Sequence, residues 1–443
     1  MIKKLLAISL VFTSMTFAQE SNVGKQLSLQ DCIKIAVARN STVLQAQYQA
    51  ESQNARVLQA YGGLLPSVSA QGQFQYNQST GIYYNGVYIP TGTNTSRSYT
   101  AGVGADYTLF NGFANYATVN SAKSNGMSAD LGFERAKQNA VYQTTQLYLT
   151  VFQNRDQLKV VQDNLKRDEQ QLESIKEANT VGSASLADVY QQQVAVSNDE
   201  YQIVQAQNNY DKSRANLKFF LGISVADSIS FADSEVKSDI DTTEFAQVNQ
   251  KYSQSALLLE RAYETRPDFQ AANESVDATE SQLTVAKAAY SPILSATTQY
   301  GFTGPRIGNL NQTKSFYGGL TLTLPLFNGF QTQTNIQIAD VNLKTAQQNL
   351  DVSRRQVQLD VYQAMLDLYA SEKQYQAAVN GVASAQINLE TAQEKYRIGG
   401  ATLLDVLTAD AGLTNALSNQ VVAAYSYINA KQEVEFAIGT INY

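Results

Sequence analysis

The sequence predicts a mixed, mainly α fold made of two tandem repeats, each giving two membrane-crossing β-strands and a hairpin of long coiled-coil helices. Three observations carry that expectation: a set of motifs written twice at fixed spacing, four stretches that alternate apolar and polar residues, and heptad runs too long for a globular core.

The first 18 residues read as a secretory signal peptide, with Lys3 and Lys4, an apolar run from Leu5 to Phe12, and Thr16-Phe17-Ala18 before Gln19. Export follows, and removing the two lysines takes the formal charge from -7 to about -9. After this segment no stretch approaches the roughly 18 to 20 apolar residues of a membrane-spanning helix, so any crossing must use strands.

The first structural repeat is placed at 19–222 and the second at 253–443. Leu64-Leu65-Pro66-Ser67-Val68-Ser69-Ala70 returns as Tyr290-Ser291-Pro292-Ile293-Leu294-Ser295-Ala296, and Leu109-Phe110-Asn111-Gly112-Phe113 returns as Leu326-Phe327-Asn328-Gly329-Phe330. Val181-Gly182-Ser183-Ala184-Ser185-Leu186-Ala187-Asp188 returns as Ile398-Gly399-Gly400-Ala401-Thr402-Leu403-Leu404-Asp405. The last two pairs share an offset of 217 residues, so the segment between them tolerates no net insertion, as a continuous rod would require. The proline pair is offset by 226, which places nine extra residues in the first half, in the Gly-, Tyr- and Asn-rich connection at 77–96.

Strands are expected at about 66–77 and 97–110, then 292–303 and 315–327. Val68, Ala70, Gly72, Phe74 and Tyr76 alternate with Ser and Gln neighbours, and Tyr99, Ala101, Val103, Ala105 and Tyr107 do the same. Each run has the length of a tilted strand crossing a bilayer, with aromatic residues at its ends. Four strands cannot enclose water, so several chains must contribute to one barrel.

Helical hairpins are expected at about 112–221 and 329–438. Heptads run through Val151, Leu158, Leu165 and Leu172, through Val189, Val196, Ile203, Tyr210 and Leu217, and from Val361 to Tyr396. Unbroken, 115–179 and 332–396 would each extend about 100 Å. Gly182 and Gly399 end these rods. Ser185-Leu186-Ala187-Asp188 and Thr402-Leu403-Leu404-Asp405 have the capping-box form that starts a returning helix. Between the halves, 223–252 is acidic and weakly periodic, and reads as a linker or a small mid-body element.

The chain has no histidine and one cysteine, Cys32, and no Gly-rich phosphate loop, so it lacks the usual groups for nucleophilic or metal chemistry. No enzyme activity, cofactor or metal is expected, and the acidic balance argues against a nucleic-acid partner. A carboxylate-only hydrolase and a non-channel coiled-coil protein of the envelope are the competing classes. The second leaves four amphipathic strands without a purpose.

In order and spacing, the duplicated Leu64-Leu65-Pro66-Ser67 and Ser291-Pro292 segments, the two Leu-Phe-Asn-Gly segments and Tyr396-Arg397-Ile398-Gly399-Gly400-Ala401-Thr402-Leu403-Leu404-Asp405-Val406-Leu407 resemble the TolC-like outer-membrane factor family. The resemblance covers essentially the whole mature chain. It implies a homotrimer in the cell outer membrane, with a twelve-stranded barrel set in lipid and continued by a long α-helical periplasmic tunnel. It also implies a passive exit duct for tripartite efflux or type I secretion, served by a periplasmic adaptor (membrane fusion) protein and an inner-membrane pump or secretion ATPase. By the same resemblance Asp405, Tyr396 and Asp188 form the periplasmic constriction, and Gly182, Ser183, Gly399 and Gly400 meet the adaptor. Two positions depart from the family's pattern: Ala401 stands where an arginine is found and Thr408 where a second aspartate is found. One closing link and one acidic ring are therefore missing. Asp188 and Asp405 also read as plain capping carboxylates, and the two roles are compatible.

Overall fold

A computed structural model describes residues 26–90, 92–232, 240, 242–252 and 254–441. The signal segment at 1–18 lies outside the described residues. In chain order the elements are β1 (Gln26–Leu27), α1 (Leu29–Arg39), α2 (Ser41–Gly62), β2 (Ser67–Ser79), β3 (Ile82–Tyr84), β4 (Val87–Ile89), β5 (Asn94–Phe110), α3 (Ala114–Thr180) and α4 (Leu186–Phe220). There follow β6 (Ser230–Phe231), α5 (Thr242–Tyr252), α6 (Ser255–Thr265), α7 (Pro267–Ala288), β7 (Ile293–Gly304), β8 (Thr313–Thr323), α8 (Gln331–Arg397) and α9 (Leu403–Ala437). Adding 217 to the bounds of α3 and α4 gives those of α8 and α9, and adding 226 to those of α1 and α2 gives those of α6 and α7. The duplication is thus kept to the residue in the backbone.

The four long strands make one antiparallel sheet in the order β2-β5-β7-β8. Register partners across an antiparallel pair share a face. Phe74 lies opposite Tyr99, Ala101 opposite Phe302, Val103 opposite Tyr300, and Tyr300 opposite Phe316. Most of the apolar positions therefore collect on one side of the sheet, with Ile293 and Tyr317 on the other. The last strand stops at Thr323, short of the 315–327 read from the pattern, because Pro325 has no N–H for the ladder and Asn328-Gly329 turns the chain. Within the connection at 77–96, β3 and β4 form a small hairpin around Asn85 and Gly86, whose φ angles of 48° and 81° suit a type I′ turn.

Each strand-to-helix corner uses two successive left-handed residues, Gly112 and Phe113 at φ 65°, then Gly329 and Phe330 at 63° and 65°. A Cβ on Gly112 would stand 2.5 Å from the Ser291 side chain, so both backbone and space demand glycine there. A phenylalanine in this region is strained. The conformation sets Phe113 edge-on to Phe110, and Phe330 edge-on to Phe327, with ring centroids 5.5 Å apart in each pair.

Below the sheet the helices form a wall. Near the strands the packing order is α2-α3-α7-α8, and toward the far end it is α4-α3-α9-α8. The predicted heptad residues Val151, Leu158, Leu172, Leu217, Val361, Leu368, Tyr375 and Leu389 are buried in these contacts. Every level is four elements wide, with the first repeat at one edge (β2, α2, α4) and the second at the other (β8, α8).

The middle of the wall carries a belt. There β1 pairs in parallel with β6, and α5 docks on the second hairpin by inserting Phe245 between Tyr375 and Tyr427, at centroid distances of 6.0 and 4.9 Å. The amide of Ile240 donates to the Tyr375 hydroxyl at 3.1 Å, and Asn249 Nδ2 donates to Glu372 at 2.8 Å. The described part of 223–252 therefore packs as a mid-body element. Cys32 is fully buried among Leu27, Tyr148, Phe152 and Leu217. At the chain's end, Arg266 and Arg135 donate to the last carbonyls of α9, Ala437 at 3.2 Å and Phe436 at 3.4 Å, where cations complement the helix dipole. Burial pushes the Arg135 guanidinium down to about 10 despite its neighbour Asp268.

Candidate functional site

Two surfaces stand out. The first is the sheet. Its apolar face is bare within one chain: Phe316, Leu320 and Leu322 are 74%, 70% and 68% exposed. That face also has two aromatic margins. Phe74, Tyr99, Tyr300 and Phe302 pack at the upper end, where the Phe74 and Tyr99 centroids lie 4.7 Å apart, and Phe110, Phe113, Phe327 and Phe330 mark the lower end. The twelve residues of β5 from Tyr99 to Phe110 span about 35 Å along a tilted strand, enough for a hydrocarbon core of about 25 to 30 Å. The opposite face carries Gln71, Gln73, Thr100, Asp106, Thr297 and Gln299, with Thr297 donating to Asp106 at 2.9 Å. Both edge strands, β2 and β8, lack a partner on their outer side among the described residues.

The second surface is the far end of the two helical hairpins. Thr180 and Arg397 are followed by Schellman turns. Gly182 and Gly399 sit at φ 79° and 78°, Ser183 N–H bonds Ala178 C=O at 2.8 Å, and Gly400 N–H bonds Lys395 C=O at 2.7 Å. The return helices start in full capping boxes. Asp188 accepts from the Ser185 amide and hydroxyl at 3.0 and 2.8 Å, and Asp405 from those of Thr402 at 2.8 and 2.7 Å. These bonds hold the Asp405 carboxyl below the usual carboxylate range, with Lys395 adding to the effect.

Of the residues singled out in sequence, Gly182, Ser183, Gly399 and Gly400 are exposed on the turns, and none of the described residues lies within 4 Å of the missing Cβ of Gly182 or Gly399. Tyr396 is half-buried against Val406, Ala409 and Leu413. Burial, and then the charge of Asp188, raise its phenol above the ordinary value, so these two residues of different hairpins come near each other. Asp405 is exposed. The departing positions are quiet: Ala401 is half-buried, and the Thr408 hydroxyl turns back to Leu404 C=O at 2.7 Å.

Sequence reasoning missed a buried polar cluster above the tips, built from Asn164, Arg167 and Asp168 of α3, Gln192 and Asp199 of α4, and Asp410 of α9. A signal was available. Asp168, Gln192 and Asp199 each fall three residues after an apolar heptad position (Leu165, Val189, Val196), where a coiled coil ordinarily buries a hydrophobic side chain.

A bilayer-length sheet with one apolar and one polar face, open at both edges and standing on rods of about 100 Å, defines a subunit of a β-barrel channel with a helical extension. The chain matches the family model described as "Outer membrane efflux protein" over residues 32–223 and 258–440, and it belongs to that family. It is 24% identical to the outer membrane protein TolC of Vibrio cholerae over 99% of this chain and 96% of that protein. It superposes on the crystal structure of a membrane protein from Pseudomonas aeruginosa with a TM-score of 0.81, at 18% identity and 93% coverage of both chains. The outer membrane protein VceC of Vibrio cholerae gives a TM-score of 0.79 at 16% identity, covering 93% of this chain and 96% of that one. The protein is an outer-membrane efflux channel and performs no chemistry of its own.

Proposed function

We propose that three copies of this chain join edge to edge into one tunnel, a twelve-stranded barrel in outer-membrane lipid continued by twelve long helices in the periplasm. In this reading the tunnel passively receives substrates from an inner-membrane pump or secretion ATPase through a periplasmic adaptor. The observation that carries it is the matched pair of open edges at every level. Among the described residues the outer side of β8 has no partner, nor has that of β2. Along α8 a second heptad seam, Val352, Leu359, Tyr362, Leu366 and Tyr369, is half or more exposed at most positions, and so is one on α4, Tyr190, Val194, Tyr201 and Val204. Both seams follow the 3-4 spacing of coiled-coil contacts, and each belongs to the edge opposite the other. Pairing α8 of one copy with α4 of the next, and β8 with β2, buries both seams and satisfies both strand edges in one operation. Three as the number of copies rests on the family.

Gentle detergent extraction of outer membranes should yield a heat-sensitive oligomer of three chain masses, and a soluble monomeric rod would overturn the reading. Placing a charge in the seam by Tyr362→Glu should release monomers.

The tips are assigned the closure and the docking. Asp405 lines the constriction, Tyr396 and Asp188 hold the two hairpins together at its rim, and Gly182, Ser183, Gly399 and Gly400 present the turns to the adaptor. Asp405→Ala should raise single-channel conductance or abolish block by multivalent cations; unchanged conductance and block would remove Asp405 from the constriction. Bulky replacements at Gly182 and Gly399 should end export while oligomers persist, since only glycine takes these turns without strain. Normal export by such variants would unseat the docking assignment.

A further inference from the structure

Where α3, α4 and α9 meet, about 10 to 25 Å above the turns, three carboxyl groups and one guanidinium are packed into a single network. Arg167 donates through Nε to Asp410 Oδ1 at 2.9 Å, and through Nη2 to Asn164 Oδ1 at 2.7 Å and Thr414 Oγ1 at 2.9 Å. Thr414 Oγ1 donates in turn to Asn164 Oδ1. Asn164 Nδ2 donates to Asp199 Oδ2 at 2.8 Å. Asp199 lies within hydrogen-bonding reach of Asp168, and Gln192 Nε2 donates to Asp168 Oδ1 at 3.0 Å and to its backbone carbonyl at 3.1 Å. Asp168, Asp199, Asp410 and Asn164 are each 5–7% exposed, and Gln192 is fully buried with its Oε1 lacking a partner among the described residues.

The weak point of the chain of bonds is the carboxyl pair. Two carboxyl groups can bond each other only while one carries a proton, and two buried carboxylates side by side repel. Burial and then Asp199 push Asp168 up to about 6. Burial also raises Asp199 and Asp410. The charged groups acting on the cluster are Arg167 and Asp168 of α3, Asp199 of α4 and Asp410 of α9.

We propose that this network is a proton-set clamp within the first hairpin, tied to the second through Arg167 and Asp410. With a proton shared by Asp168 and Asp199, α4 is held on α3 and, through Asn164 and Arg167, on α9. Loss of the proton leaves facing carboxylates that loosen α4 and free the tips to part. Because Asp168 binds its proton more tightly in the folded chain, the clamp is fully set below about pH 4 and releases as pH rises through about 6. An acidified periplasm thus tightens the channel, and a neutral one relaxes it. This inference rests on the reading of the tips as the tunnel's closure.

The test is conductance of the full-length oligomer in planar bilayers, with pH on the tunnel side stepped from 5.0 to 7.5. Wild type should conduct several-fold more at 7.5, with a midpoint near 6. Asp199→Asn, whose amide can donate to Asp168 and whose carbonyl can accept from Asn164, should conduct weakly at every pH and lose the step. Asp410→Asn leaves the pair intact but removes the charge that binds Arg167, and should conduct at pH 5.0 as wild type does at 7.5. A flat wild-type profile, or an Asp199→Asn profile that keeps the step, overturns the clamp. If Asp405→Ala still alters cation block in that case, the closure reading stands without it. Conversely, amide exchange along 186–205, corrected for intrinsic rate, should be slower at pH 5.0 than at 7.5 in wild type and equal in Asp199→Asn. That result supports the clamp even where no tip variant changes conductance, and equal exchange in wild type counts against it.

Discussion

The two helical hairpins share a backbone to the residue and differ in what seals them near the tip. In the second, Leu389, Val406, Ala409 and Leu413 make a small apolar core against which Tyr396 packs. Moving 217 residues back along the chain, Ala385 becomes Asp168, Ala409 becomes Gln192 and Ala416 becomes Asp199. The first hairpin therefore closes with polar groups, two of them titratable, at the positions where the second carries methyls. Apolar packing is indifferent to pH and fails only when atoms are removed, whereas the polar seal holds according to its protonation. One hairpin is built as a stiff strut and the other as an adjustable one, and Arg167 on Asp410 is the rivet between them.

The contrast can be broken most forcefully on the apolar side. Leu413→Ala removes most of a fully packed side chain, 3% exposed, and should lower unfolding free energy by about 2–5 kcal/mol. Denaturation of the detergent-solubilised oligomer should show the same loss at pH 5.0 and 7.5, and a pH-dependent loss would contradict the distinction between the hairpins. Next in size is Asp168→Asn. Since Asp168 is raised from about 4 to about 6, the cost of its ionisation to folding accrues between those values and levels off above them, so the variant should gain about 1–3 kcal/mol at pH 7.5, a smaller amount at pH 5.0 and nothing below about pH 4. Ser185→Ala removes one cap from the first hairpin only and should cost about 1 kcal/mol, read as faster amide exchange at the start of α4 with α9 unchanged. The smallest effect is expected for Arg397→Gln. It cuts an ion pair with Glu394 at 2.6 Å that is wholly exposed, and melting should not move.

Much of this architecture is legible in the sequence. Period-2 alternation located the sheet because a strand with one wet face has no other way to place its side chains, and the offset of 217 forced equal rods because an insertion would break a continuous helix. Gly182 and Gly399 announced their turns through the left-handed backbone that only glycine adopts freely. The hairpin at Asn85-Gly86 was legible too, through its turn dipeptide, and went unread. The second seam on α8 could be counted from Val352 to Tyr369, but spacing alone does not say which helix covers it.

What the sequence determined by itself is therefore everything set by local periodicity and backbone preference: the strands, rods, turns and caps, and the duplication that binds them. Tertiary structure alone decided which rods lie side by side, and so which residues meet across more than 100 positions of chain. Arg167 and Asp410 are 243 residues apart, Asn249 and Glu372 are 123 apart, and no local rule relates either pair. Their chemistry exists only because α3 packs on α9 and α5 lies across α8, which buries charges that would otherwise face water and makes a proton matter to the way the hairpins hold together.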